Sequence, residues 1–319
     1  MTPLDISLPD FSAIQMAARL IAPYIHRTPV LHSQIINQLT HSQLYFKCEN
    51  FQKAGAFKFR GAVHALLHNL ESSGKKPVTT HSSGNHAGAL AKAAGILGIE
   101  CIVVMPENAP RVKIAAVQHY GATIRFCAPT LEARESTTRL VIQETGASLI
   151  HPYNNYFIIA GQGTAALELL TNQPSLDIVI APVGGGGLMS GTALAAKSLN
   201  KNIQVYGAEP KGADDAWQSL QAGKIMPQQN PNTIADGLLT SLGDLTFAIL
   251  SKNLNGIFTV SEKGIVEAMK MIWQYMKIIV EPSSAVTLAA VLEYPDVFRN
   301  KKTGIIVSGG NVDFEKLPF

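Results

Sequence analysis

Cysteine is scarce in this chain of 319 residues: Cys48, Cys101 and Cys127 stand far apart and form no Cys-x-x-Cys spacing. An odd, scattered set of thiols argues against a disulfide framework and reads as reduced, mostly buried cysteine in a cytoplasmic protein. Charge is sparse too. Lys and Arg number 26 against 23 Asp and Glu, giving a net charge of +3 with 15% charged residues. That balance, with no Lys/Arg run, excludes nucleic acid as an expected partner. No uninterrupted apolar stretch reaches the ~18 residues of a membrane span. The start, Met1-Thr2-Pro3-Leu4-Asp5, lacks the basic and apolar regions of a signal peptide. Neither a repeat nor a low-complexity tract is present.

What remains is a globular, core-rich composition, 46% hydrophobic, at a length that suits two domains. Short β-branched runs at 77–81, 101–105, 123–127, 176–182, 203–208 and 304–307 read as strands. Ala- and Leu-rich patterns at 12–25, 57–70, 85–97, 111–119, 131–144, 161–170, 188–199 and 262–276 read as helices. Alternation of this kind predicts an α/β architecture of parallel sheets covered by helices, with a ligand between two such sheets. On the helix from residue 57, Val63, Leu66, Leu67 and Leu70 make an apolar stripe that leaves Lys58 in the first turn, off the stripe. His64 and His68 are four apart, but without the Glu of a zincin motif they read as a solvated helix edge.

Lys58 lies in Ala56-Phe57-Lys58-Phe59-Arg60-Gly61. An ammonium at the positive end of a helix dipole is disfavoured, and a neutral amine is what condensation with an aldehyde requires. Ser82-Ser83-Gly84-Asn85-His86, between a strand and a helix, offers amides and hydroxyls that hold a carboxylate, or simply an N-cap with a turn glycine. Gly184, Gly185, Gly186 and Gly187 follow a strand and precede the helix from Leu188, a loop that can close on a phosphate. A nicotinamide-binding loop is the rival. Strict G-x-G-x-x-G spacing fails at Ser190, yet Glu209 ends the next strand, where a ribose-binding acid would fall. A lysine amine with a phosphate cradle is what pyridoxal 5'-phosphate needs. Ser308-Gly309-Gly310-Asn311 ends a strand at a sheet edge where ligands gather. Glu209, Ala213 and Asp215 offer two carboxylates and a carbonyl suited to Mg²⁺ or Ca²⁺, although as an isolated pattern they read as a solvated acidic turn.

Together these segments resemble the serine racemase and serine/threonine dehydratase family of fold-type II pyridoxal-phosphate enzymes, from about residue 10 to 313. The resemblance also rests on His26-Arg27-Thr28-Pro29-Val30, Gly161-Gln162-Gly163-Thr164, Ile234-Ala235-Asp236-Gly237 and Glu281-Pro282. It implies the tryptophan synthase β-like fold. That fold has two open, twisted, mainly parallel α/β domains with the cofactor in the cleft between them. Residues 1–50 and 148–319 would form the large domain and 51–147 the small one. Lys58 would bond the cofactor aldehyde, Phe57 would lie against the ring and Asn85 would hydrogen-bond its 3'-oxygen. Gly184, Gly185, Gly186, Gly187 and Leu188 would hold the phosphate. Gly237 and Glu281 would flank the pyridine, and Ser308 would face its nitrogen. Ser82, Ser83, Asn85, His86 and Arg134 match substrate-carboxylate and entrance positions, with Ser83 a second acid/base opposite Lys58. Glu209, the Ala213 carbonyl and Asp215 become a site for Mg²⁺, Mn²⁺ or Ca²⁺. The family also implies a homodimer acting on a small amino acid.

A serine facing the ring nitrogen donates to a neutral pyridine and makes a milder electron sink than an aspartate, which favours β-elimination over transamination. The expected activity is elimination from serine, threonine or 3-hydroxyaspartate to a 2-oxo acid and ammonia, with serine racemisation possible beside it. A dedicated racemase and a nicotinamide oxidoreductase are the alternatives. Ala56, in place of the family's common serine, also occurs in hydroxyaspartate dehydratases of the group. Tyr153 and Gly88 replace an asparagine and an ATP-binding glutamine of the mammalian racemases, which tilts the expectation to elimination without nucleotide activation. With Phe319 as the last residue, the C-terminal regulatory domain of biosynthetic threonine dehydratases is not expected.

Overall fold

The computed structural model describes residues 8–82, 84–109 and 111–319. Its strands are β1 (Val30–Leu31), β2 (Gln43–Cys48), β3 (Val78–His81), β4 (Cys101–Pro106) and β5 (Thr123–Cys127). They continue with β6 (Ser148–Leu149), β7 (Ile178–Pro182), β8 (Gln204–Pro210), β9 (Gly256–Val260) and β10 (Lys302–Val307). A six-stranded sheet has the order β1-β2-β10-β7-β8-β9, and a four-stranded sheet the order β5-β4-β3-β6. Every pairing is parallel except that of β1 with β2. Because Ser148 and Leu149 pair with Val78 and Thr79, the smaller sheet runs past residue 147.

Both sheets are covered on both faces, as parallel sheets require. Along β7, Ile178 and Ile180 face the core built with helices Glu262–Met276 and Pro282–Glu293. Val179 and Ala181 face the opposite core, with helices Phe11–Ile21, Tyr156–Asn172 and Gly187–Leu199. In β4, Cys101, Val103 and Met105 pack on one side while Ile102 and Val104 pack on the other. Period-two burial on both faces gives the continuous apolar runs seen in the sequence.

Helix termini follow local chemistry. Asp10 caps Phe11–Ile21 by accepting from Ala13 N at 2.9 Å, and Ile14, Ala17 and Ile21 form its buried stripe. Helices Tyr156–Asn172 and Gly187–Leu199 approach so closely that a Cβ on Gly191 would lie 2.5 Å from Gly163 N. This contact fixes where the second helix points its N-terminus.

All the expected strands form, as β3, β4, β5, β7, β8 and β10, together with the expected helices. His64 is a correction. It is buried and donates from Nδ1 to Phe157 O at 2.8 Å, whereas His68 is exposed and stacks on the Phe157 ring.

The order of strands creates two crevices. In the larger sheet the chain moves from β7 to β8 and β9, then returns to β10 on the other side of β7. In the smaller it moves from β3 to β4 and β5, then returns to β6 beside β3. Loops diverge at the carboxyl ends of such neighbouring strands, which is where open α/β sheets receive ligands.

Candidate active site

Loops carrying many of the residues singled out from the sequence leave the carboxyl ends of those four strands. Gly184 to Gly187 follow β7, Ser308 follows β10, Ser82 and Asn85 follow β3, and His151, Pro152 and Tyr153 follow β6. Lys58 opens helix Lys58–Ser73, whose preceding residues are stitched to the end of β10. Phe57 N donates to Ser308 O at 2.9 Å, and Ala56 bridges Gly309.

Lys58 is partly exposed, and its Nζ donates to Pro152 O at 2.9 Å. The amine sits 5.2 Å from the Phe57 ring centroid. Burial lowers its pKa to about 8, against an opposing pull from the Glu281 carboxylate. Desolvation is therefore the main source of the readily neutralised amine. Glu281 is buried and accepts both contacts from Asn85 Nδ2, at 2.8 and 3.0 Å. Burial raises its pKa to about 7, and the Asn85 hydrogen bond opposes the shift. Asn311 Nδ2 donates to Asn85 Oδ1 at 2.9 Å, so Asn85 joins the two sheets' loops.

Ser308 is buried with its Oγ 2.9 Å from Ser284 Oγ. Ser284 Oγ in turn donates to Gly309 O and accepts from Gly309 N, both at 2.7 Å. No carboxylate takes part in that cluster; the sequence pointed to Ser308 but not to its partner Ser284. The glycine loop requires its composition: Gly186 has φ +85°, a conformation that side chains rarely adopt. Gly186 is also the N-cap of Gly187–Leu199, and no side chain caps that helix. Its first amides are left for an outside acceptor, which suits an anion. Gly237 O lies 3.1 Å from where a Gly184 Cβ would be, so Gly237 packs closely on the loop. Leu188 lies in the first turn, buried.

His86 is buried, donates from Nε2 to Ile150 O at 3.3 Å and leaves Nδ1 without a partner. Burial pushes its pKa well down, so the ring is neutral. Ser82 Oγ accepts from Gly84 N at 3.3 Å, while Ser83 lies outside the described residues. Arg134 Nε donates at 3.4 Å to Thr130 O, its own helix's N-cap residue, and makes no hydrogen bond to Lys58, Asn85 or Glu281 among the described residues.

Sequence reasoning missed several participants. Lys113 pairs with Asp236, linking the two sheets' loops beside Gly84 and Gly237. His151 Nδ1 accepts from Asn154 N at 3.0 Å, and burial lowers its pKa to about 4. Pro152 supplies only a backbone carbonyl, for which no sequence signal exists. Ser284, two residues beyond Pro282, offered a signal in its position beside Glu281-Pro282.

The acidic turn also departs from its isolated reading, because Glu209 and Asp215 are both buried. Glu209 accepts from Ala216 N at 3.2 Å and Trp217 N at 2.9 Å, which ties its carboxylate to its own turn rather than to a ribose. Burial, then the neighbouring Asp215 charge, raises the Glu209 pKa well above the carboxylate range. Burial lifts Asp215 to about 7, and neither of its oxygens has a hydrogen bond of normal geometry. Among the described residues no group of three or more His, Cys, Asp or Glu could hold a metal, so a cation here would depend on these two carboxylates and a carbonyl.

Comparison with known proteins shows the family. The profile of the pyridoxal-phosphate-dependent enzyme family matches residues 21–309. A serine racemase of Dictyostelium discoideum is 53% identical over 308 residues, 95% of each chain, and a crystal structure of Dictyostelium serine racemase superposes with a TM-score of 0.92. A beta-hydroxyaspartate dehydratase of Paracoccus denitrificans is 48% identical over 312 residues, 98% of this chain and 99% of that one. The crystal structure of a threonine deaminase from T.th. superposes with a TM-score of 0.91 at 44% identity, covering 96% of this chain and 99% of that one.

Proposed function

The chain belongs to the pyridoxal-phosphate-dependent enzyme family, and on that premise we propose that it removes the β-hydroxyl of small hydroxy amino acids as water, the enamine left behind taking water back as it hydrolyses. Serine, threonine and 3-hydroxyaspartate are the substrate class, a 2-oxo acid and ammonia the products, with racemisation as a side activity. The observation that carries this reading is Lys58. Its amine has a pKa lowered to about 8 and opens a helix tied to Ser308, in a cleft floored by an uncapped glycine loop.

The residues present fit the cofactor. Gly184, Gly185, Gly186, Gly187 and Leu188 would hold its phosphate, Asn85 its 3'-oxygen, and Ser308 its ring nitrogen, with Phe57, Gly237 and Glu281 around the ring. When bound, pyridoxal phosphate supplies an aldehyde for the substrate amine and a conjugated ring that draws electrons from Cα. Lys58 takes the Cα proton, the role its lowered pKa prepares it for. Ser308 would donate to a neutral ring nitrogen by turning its single O–H away from Ser284 Oγ, 2.9 Å away. Ser82, Ser83, Asn85 and His86 receive the substrate carboxylate, and Arg134 guards the entrance. Ser83 serves as the acid/base on the opposite face.

Glu209, the Ala213 carbonyl and Asp215 fit a divalent cation, Mg²⁺, Mn²⁺ or Ca²⁺, because the Asp215 oxygens are buried without partners. Its role is structural, neutralising two adjacent acids. A homodimer and a cytoplasmic location belong to the same reading, the first supported by the resemblance and the second by three buried free thiols.

A dedicated serine racemase is the second reading, favoured by the 53% identity to the Dictyostelium protein of that name. Incubation with each enantiomer of serine, threonine and threo-3-hydroxyaspartate separates the two. Oxo acid and ammonia dominating supports elimination; the opposite enantiomer dominating supports racemisation. Absence of every product would overturn both. Lys58→Ala should abolish turnover.

A further inference from the structure

Helix Tyr156–Asn172 carries a side chain that the site described so far does not use. Gln162 is fully buried, and neither its Nε2 nor its Oε1 has a hydrogen-bond partner. Its position is defined from two sides. A Cβ on Gly61 would lie 3.2 Å from Gln162 Nε2, and a Cβ on Gly187 would lie 2.7 Å from Gln162 Oε1. The carboxamide therefore occupies space left by two glycines, one in the first turns of the lysine helix and one opening helix Gly187–Leu199.

A primary amide has two donors and a two-lone-pair acceptor, and burying all of them unpaired is costly. Buried polar groups in folded proteins nearly always have a partner, in protein, water or ligand. Here the nearest candidate for a partner is whatever occupies the uncapped helix end. The amide's oxygen and nitrogen exchange by a flip of the terminal torsion, so a donor can be turned to the loop at no steric cost.

We infer that Gln162 is a further cofactor-binding residue, its NH₂ donating directly or through one water to the phosphate held by the glycine loop. The inference rests on the cofactor reading above. Gln162 thereby joins the phosphate cradle to the helix of Lys58, so that anion and amine are positioned against the same side chain.

The test uses the full-length protein, stripped of cofactor with hydroxylamine and reloaded with pyridoxal phosphate or with pyridoxal, which lacks the phosphate. Gln162→Met keeps the volume and removes the polar atoms. It should weaken pyridoxal phosphate binding by about 10- to 100-fold, the range of a hydrogen bond to a charged group. Pyridoxal affinity should change by less than about twofold, and the cofactor-free variant should melt no lower than wild type, since an unpaired polar group is gone. Gln162→Glu, nearly isosteric, provides a second variant in which a carboxylate faces the phosphate and affinity falls further. The ³¹P resonance of the bound cofactor should move in both. Equal losses for pyridoxal phosphate and pyridoxal, or an unmoved ³¹P resonance with unchanged affinity, would overturn the assignment. Wild-type protein that binds no pyridoxal phosphate would overturn the cofactor reading and, with it, this inference.

Discussion

Replacing Arg60 by Met tests what holds the Lys58 helix in place. Arg60 is fully buried two residues after Lys58 and grips two carboxylates, each through two contacts. Nε and Nη2 reach Glu49 at 2.7 and 2.9 Å, while Nη1 and Nη2 reach Glu168 at 2.8 and 2.9 Å. Lys47 completes a neutral set of two cations and two anions, donating to Glu168 at 2.6 Å and to Thr28 O at 2.7 Å. Arg60→Met would leave one uncompensated negative charge in a buried site, and breaking such a pair costs about 3–5 kcal/mol. With a melting entropy of ~2 cal/mol/K per residue, that is a fall of about 5–8 °C for 319 residues. Differential scanning calorimetry measures the shift, and cofactor affinity should fall with it because the first turn carrying Lys58 loosens. The double variant Arg60→Met, Glu49→Gln restores neutrality and should recover at least half of the loss. A single variant melting within about 1 °C of wild type, or a double variant no better than the single, would refute the charge argument.

Glu281 links stability to pH. Its carboxyl titrates near pH 7 in the folded chain against 4.5 ordinarily, so its contribution is fully present below 4.5 and is lost as pH rises through 7. Glu281→Gln should remove about 3 kcal/mol of pH dependence from urea unfolding of the cofactor-free protein between those limits; parallel curves for the two proteins would contradict it. Removal of divalent cations with EDTA should lower the melting temperature of wild type but not of a Glu209→Gln, Asp215→Asn variant, in which the buried acids no longer repel. An equal response of both would deny a cation at that turn.

How much of this was legible in the sequence depended on whether the deciding contact was local. The glycine loop and the Lys58 helix were visible because turn glycines and first-turn positions announce themselves within a few residues. β2 was not, because Lys47 interrupts its apolar run, and the Glu168 that makes a buried lysine tolerable lies in a distant helix. Helix Pro282–Glu293 escaped because Ser283, Ser284, Ala285, Val286 and Thr287 are all buried, leaving no amphipathic stripe to detect. His64 misled for a related reason, since the carbonyl it meets belongs to another helix. The readiness of Lys58 to lose its proton was foreseen, but from the helix dipole. Burial, which no local pattern encodes, lowers the pKa as well. As an isolated pattern the acidic turn reads as solvated because spacing says nothing about burial, and both Glu209 and Asp215 are buried.

The central claim is that Lys58 is the residue bonded to pyridoxal phosphate. Borohydride reduction of the purified holoprotein, followed by peptide mass mapping, tests it most directly. The visible absorption should vanish and the reduced pyridoxyl group should appear on the peptide containing Lys58. A label on another lysine, or a protein that carries no reducible chromophore after incubation with pyridoxal phosphate, would contradict the account.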